Sequence, residues 1–288
     1  NKAIVVNLGN KEAGVAFDTD TLRLSGAWTG GWMKLKGVAF DGAHGPNPGP
    51  ATNATVYSET NPGPGWSHNG SFADPRKLPV GPAKVMSPIP LGPLPRDYAK
   101  YLGLYLSGDR VTFAYSVGAA QVLESHDLEK VGDQAVLARS ITVTKGNLDA
   151  SVKLLDLCYG GKIEIKGNVA VVTVKSYFDP APRAVNHPDQ LTVVSVSQGQ
   201  LAQVDNSLVL KLQANAGTSL KVSLAHGALG QTDALTKAAQ GTAAAQDLTK
   251  FTKGGPSHWK EEVVTEGVLG EVDQQKQADL VKGQLEKA

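Results

Sequence analysis

Asp41, Gly42, Ala43 and His44 form the arrangement in this sequence best suited to chemistry. A carboxylate and an imidazole three residues apart in a glycine-rich turn can orient one another for proton transfer, or ligate a metal together. His68, Asp74 and His126 would complete such a site if the intervening chain folds back over it. The competing reading is a turn histidine that serves only as a hydrogen-bonding surface group. Asp18 and Asp20, two apart on extended chain, project both carboxylates to one face, which is half a calcium site. The same carboxylates can instead cap backbone amides in an Asx turn, and the full ligand spacing of an EF-hand loop is absent. The metal candidates are therefore Asp18, Asp20, His44 and His68.

Large aromatic residues gather in the first third of the chain, as Trp28, Trp32, Trp66, Tyr98, Tyr101 and Tyr105. Flat exposed rings beside polar partners make a carbohydrate platform, for which Arg23, Trp28, Trp66, Arg76, Arg96 and Tyr98 are the candidate contacts, with Asp41 beside them. The alternative is that the same rings fill a core beneath loops that otherwise lack apolar anchors. No GxSxG elbow, GxxxxGK[ST] phosphate loop or strand-to-helix GxGxxG occurs, so hydrolase, kinase and nicotinamide chemistry have no motif behind them. The single cysteine, Cys158, allows no internal disulfide and no Cys-rich metal centre, and its apolar surroundings suit a buried hydrophobe. No CxxCH haem-attachment motif is present, so the sequence implies no cofactor of its own.

The elements that must position these residues read as strands. Lys plus Arg number 28 against 27 Asp plus Glu, a net charge of +1, which favours neither nucleic acid nor anionic lipid. No run of 18 apolar residues predicts a membrane-spanning helix. Short apolar runs at 3–8, 13–18, 22–24 and 33–40, alternating with turn residues, predict strands. Twelve of the 16 prolines then fall between 42 and 97, which predicts an extended, ordered loop rather than sheet or helix. Strands resume at 101, with Gly108-Asp109 as a hairpin turn between 102–106 and 110–115, and continue at 135–143, 150–158, 162–165, 170–177, 190–197, 207–213 and 219–225. From 233 the period becomes helical through Leu235, Ala238, Ala239, Ala243, Ala244, Leu248 and Phe251, and the polar tail 274–288 reads as a fraying helix or a linker. The expected architecture is a mainly β, antiparallel β-sandwich-type domain over 1–232, carrying the Pro/Gly-rich loop insertion 42–97. One or two short C-terminal helices and a linker-like tail follow over 233–288.

Three stretches carry a family likeness: Gly14 to Leu24 with Gly26-Ala27-Trp28-Thr29-Gly30-Gly31, Gly37-Val38-Ala39-Phe40-Asp41-Gly42-Ala43-His44-Gly45, and Gly63-Pro64-Gly65-Trp66 with Phe72-Ala73-Asp74-Pro75-Arg76. Gly92-Pro93-Leu94-Pro95-Arg96-Asp97-Tyr98 and the run Tyr101 to Val111 extend it. Over roughly 3–122 the sequence resembles an uncharacterised module of large exported proteins of planctomycete and verrucomicrobial type. There the module tends to precede a sugar-dehydrogenase-like β-propeller and a c-type cytochrome domain. The resemblance implies a periplasmic or extracellular location, to which the start at Asn1, as in a processed segment, and the sequons at Asn53 and Asn69 are compatible. It implies that redox chemistry belongs to the propeller and cytochrome parts, which this sequence lacks.

The expected function is a non-catalytic binding or docking module of an exported redox (dehydrogenase/cytochrome-type) or carbohydrate-processing assembly. Its partners would be a propeller/cytochrome-type redox protein or a carbohydrate. One rival is a carbohydrate-active enzyme in which Asp41 and His44, with Arg23, line a sugar pocket. The other is a subunit of an extracellular cytochrome complex, with His44 or His68 ligating a partner's haem iron. Bound calcium or a partner's haem are the cofactors these readings allow.

Overall fold

Short apolar runs bounded by turn residues set the first three strands, β1 (Ala3–Leu8), β2 (Ala13–Asp18) and β3 (Arg23–Thr29), which pair antiparallel in sequence order. A computed structural model describes residues 2–34, 49–51, 54–78, 89–157, 160–174, 177–179, 185–187, 189–253 and 279. Asp41, His44, Asn53 and Cys158 lie outside the described residues, as do 35–40 of the expected strand and, apart from residue 279, the tail. Where 33–40 is described, β4 (Met33–Lys34) pairs with β5 (Gly49–Pro50).

The proline-dense stretch is not loop throughout. Its proline-free window forms β6 (Thr55–Glu59), which joins β3 to complete a four-stranded sheet, β1-β2-β3-β6. Pairing with β3 satisfies the backbone there, which outweighs the low strand propensity of the surrounding chain.

The following elements are β7 (Ala99–Ser107), β8 (Arg110–Val117), β9 (Ala120–Val131), β10 (Gln134–Lys145), β11 (Asn147–Asp156), β12 (Lys162–Lys166), β13 (Val169–Val174), β14 (Tyr177–Asp179), β15 (Val185–His187), β16 (Gln190–Val196), β17 (Gln200–Val204), β18 (Ser207–Asn215) and β19 (Ser219–Gly227). They make an eight-stranded sheet in the order β12-β13-β16-β19-β10-β9-β8-β7, a three-stranded sheet β11-β18-β17, and the pair β14-β15. The chain is mainly β, built from antiparallel sheets, as the alternation predicts. The polar strand β17 was not foreshadowed by any apolar run.

One core gathers side chains from all three larger sheets, including Val6 and Phe17, Phe113 and Ile141, and Val152 and Leu210. Phe17 stacks on Phe113 across it, with ring centroids 4.3 Å apart. The opposite face of the eight-stranded sheet is covered by α1 (Thr232–Gln240), whose Leu235, Ala238 and Ala239 bury against Val136, Leu191, Val193 and Ala225. A 3₁₀ turn (Leu248–Phe251) follows, capped by the Asp247 side chain. Between them the helical period at Ala243 and Ala244 is overridden. Glu129 accepts from the Ala243 amide at 2.8 Å, while Lys221 bonds both Glu129 at 2.5 Å and the Ala243 carbonyl at 2.6 Å. These elements belong to one compact unit, Asn1–Gly255.

Part-buried His226, with Thr192 Oγ1 3.1 Å from its Nδ1, supplies a pH prediction. Burial lowers its pKa from 6.5 to about 4, so the unfolded chain takes up this proton before the folded one. The contribution is complete above the unfolded value, declines as pH falls, and is lost by the folded value. Urea unfolding across that window should show a loss of about 2–3 kcal/mol that His226→Gln abolishes.

Candidate functional site

Three adjacent strands bring four polar side chains together inside the core. On the inner face, β8 supplies Tyr115, β9 supplies Glu124 and His126, and β10 supplies Arg139. The register places Glu124 between Phe113 and Ile141, and His126 opposite Arg139. Tyr115 donates to Glu124 Oε2 at 2.5 Å, and Arg139 Nη2 donates to the same oxygen at 2.9 Å. Arg139 Nε and His126 Nε2 lie 2.8 and 2.9 Å from Glu124 Oε1. Arg139 Nη1 donates on to the Lys153 carbonyl of β11 at 3.2 Å, linking two sheets.

Burial alone would raise the Glu124 pKa, but the Arg139 charge and the His126 contact outweigh it and hold the carboxyl down, from 4.5 to about 2. Burial, reinforced by the Glu124 charge, pushes the Tyr115 phenol well above its usual value. The elements of a catalytic constellation are present, yet Glu124 and Tyr115 are 0% exposed and Arg139 2%. The carboxylate is enclosed, and Arg139 pairs with it. Its chemistry is cohesion.

Trp66 roofs this cluster. Its fully buried indole lies 6.2 Å from the Tyr115 ring. The backbone around it adds to β11 as a bridge to Val152, with Ser67 N donating to Ser151 O and Lys153 N to Gly65 O, both at 2.8 Å. Gly65 is required there, because a Cβ would sit 2.2 Å from the Leu22 carbonyl oxygen. Tyr98 donates its hydroxyl to the Trp66 carbonyl at 2.7 Å, and His68 stacks on the Tyr98 ring at 4.7 Å.

Above these anchors runs a loop face formed by 60–78 and 89–98. Arg76 ties its two halves, donating to both oxygens of Asp74 and, through Nη1, to the Gly92 carbonyl at 2.6 Å. The side-chain and backbone hydrogen bonds from Arg76 outweigh partial burial and hold the Asp74 carboxyl below its ordinary range. On either side of this tie Leu78 and Leu91 stand 53% and 50% exposed, with Lys77 and Arg96 exposed nearby.

The sequence candidates are distributed as follows. Trp28, Trp66 and Tyr98 are buried at 3%, 0% and 5% exposure, which places them as rings that fill a core beneath the loops and not as an exposed carbohydrate platform. Trp28 lies flat over Gly14, its register partner on β2, and donates to the Gly31 carbonyl at 3.1 Å. Arg23 is buried between Asp18 and the Thr60 carbonyl, and Arg76 is engaged as described. Only Arg96 of the six faces solvent. The Asp18 carboxylate accepts from the Asp20 and Thr21 amides at 2.9 and 3.3 Å and pairs with Arg23, the Asx-turn arrangement in place of a metal half-site. His68, Asp74 and His126 each have a separate partner. Among the described residues no three His, Cys, Asp or Glu side chains are grouped to hold a metal ion.

The spacing of Glu124 and Arg139 along the chain does not mark them as a pair, because they lie on neighbouring strands. A signal existed: Glu124 falls in the row of Ala120, Val122 and Leu128, and Arg139 in the row of Leu137, Ile141 and Val143, core rows where a lone charge is costly.

Residues 15–124 match a family described as a domain of unknown function (DUF6797). That span includes the loop face, Trp66, Tyr98, Tyr115 and, as its last residue, Glu124. No curated protein matches the chain. Among solved structures, a putative kojibiose phosphorylase from human microbiome aligns at 13% identity with a TM-score of 0.31. The alignment covers 50% of this chain and 22% of that one, so the chain spans about a fifth of that protein's length, and the likeness carries no argument.

Proposed function

We propose that this chain is a non-catalytic docking module of an exported redox or carbohydrate-processing assembly, and that residues 60–78 and 89–98 form the face that meets its partner. The observation that supports this reading most is the way that face is built. Trp66, Tyr98 and Arg76 fix it from beneath, while Leu78 and Leu91 stand half exposed beside the cationic Lys77 and Arg96. A surface already ordered before contact loses little conformational entropy on binding. Exposed apolar anchors with a charged rim are the ordinary anatomy of a protein interface.

The partner is a protein of the dehydrogenase or c-type cytochrome class, as the resemblance over 3–122 suggests, and the redox cofactor belongs to that partner. The enclosure of Glu124, Arg139 and Tyr115 supports a non-catalytic role, since none of them is offered to a substrate.

The test is titration of the chain against a propeller–cytochrome segment from a protein of that architecture, followed by biolayer interferometry. The double variant Leu78→Asp, Leu91→Asp should weaken binding roughly 10- to 100-fold with the fold intact. Unchanged affinity in that variant would remove the face from the account, and sugar turnover by the chain alone would replace docking with catalysis.

A further inference from the structure

β7 and β12 end the eight-stranded sheet, and they are finished differently. β12 exposes Lys162, Glu164 and Lys166, the charge pattern by which sheet edges avoid pairing with other chains. β7 carries one charge, Lys100, and leaves Leu102, Tyr105 and Leu106 exposed by 48%, 39% and 50%. Its outer edge pairs with no strand among the described residues. The strand bulges between Tyr101 and Gly103, where Gly103 adopts φ +146°, and runs in regular register from Gly103 to Ser107.

We propose that β7 is a self-association edge, and that two copies of this chain pair β7 antiparallel about a two-fold axis through Tyr105, joining their sheets into one. This inference concerns the β7 edge and stands without the loop face. Two features select a second copy as the occupant. With the axis at Tyr105, Leu104 faces the partner's Leu106, Gly103 faces the partner's Ser107, and Tyr105 meets its own counterpart. Such aliphatic and aromatic cross-strand pairs stabilise antiparallel sheets.

The second feature is charge. The extra residue in the bulge shifts the register by one, so Lys100 near the start of the strand falls opposite Asp109 at the hairpin turn beyond its end. Both are exposed, and neither makes an ion pair among the described residues, whereas neighbouring Arg110 is already bound to Asp127 at 2.6 Å. A two-fold axis forms the Lys100–Asp109 pair twice, the self-complementarity that an isologous interface requires.

Sedimentation equilibrium of the full 288-residue chain tests this. The wild-type chain is expected to be a discrete dimer, and Leu106→Lys a monomer. Lys100→Asp and Asp109→Lys should each weaken dimerisation roughly tenfold or more. Mixed in equal amounts, those two variants should associate with one another as strongly as the wild type, because every altered end then meets the opposite charge. A merely structural effect of either substitution would not produce that rescue. A monomeric wild-type chain, open-ended oligomers, or two folded variants that stay apart when mixed would overturn the proposal.

Discussion

Glu124→Ala should destabilise the domain by about 3–5 kcal/mol, the cost of leaving a buried arginine without its counter-ion. Arg139 is 2% exposed, and Tyr115 loses the acceptor 2.5 Å from its hydroxyl. The physics also predicts a rescue. Buried ion pairs seldom add net stability over well-packed apolar residues, so the triple variant Glu124→Leu, Arg139→Met, Tyr115→Phe should recover part of the loss, the remainder being the cost of His126 left without its Glu124 contact. Urea unfolding of the single and triple variants measures both. A single variant within about 1 kcal/mol of wild type would show that the cluster is not what holds the inner face together. The same group sets an acid limit. Because the folded carboxyl titrates at about 2 instead of 4.5, its contribution is present above the unfolded value and disappears as pH falls toward the folded one.

Trp66→Ala should be comparably damaging, about 3–5 kcal/mol, because a fully buried indole leaves a cavity that the surrounding strands cannot close. The walls are rigid. Tyr115 is held by Glu124, and the backbone of 65–67 is bridged to β11. The expected signature goes beyond a lower urea midpoint. Removing the roof frees the segment that Tyr98 and Ser151 grip, so the amides of Ser67 and Lys153 should exchange faster than the general loss of stability accounts for. Uniform acceleration across the protein, with these two amides changing no more than those of β19, would count against Trp66 as the anchor of the loop face.

What could be read from the sequence was local. Short apolar runs such as Ala3–Leu8 and Ala13–Asp18, and the period-two row Val111, Phe113, Tyr115 and Val117, predict strands whichever partner they find. The proline density of 42–97 predicts loop throughout and so conceals β6, whose existence depends on pairing Trp28 with Val56. β17 was invisible because Gln200 and Gln203 dilute its apolar residues, and it is held by register with β18. The candidate site was less legible still. A tryptophan in a glycine- and proline-rich stretch has the same composition whether it lies open to a sugar or roofs a core. The difference lies in Val152, Tyr115 and Tyr98, all distant in the chain. Likewise Asp18 is indistinguishable from a metal ligand until Arg23 folds onto it.

The claim on which the account depends is that the face over Trp66 is where a partner binds. Amide hydrogen exchange of the chain, alone and saturated with the propeller–cytochrome segment, tests it directly. Slowed exchange concentrated in 67–78 and 89–98, with β16 and β19 unchanged, is the expected result. Saturation that leaves both loop segments exchanging as in the free chain would contradict it.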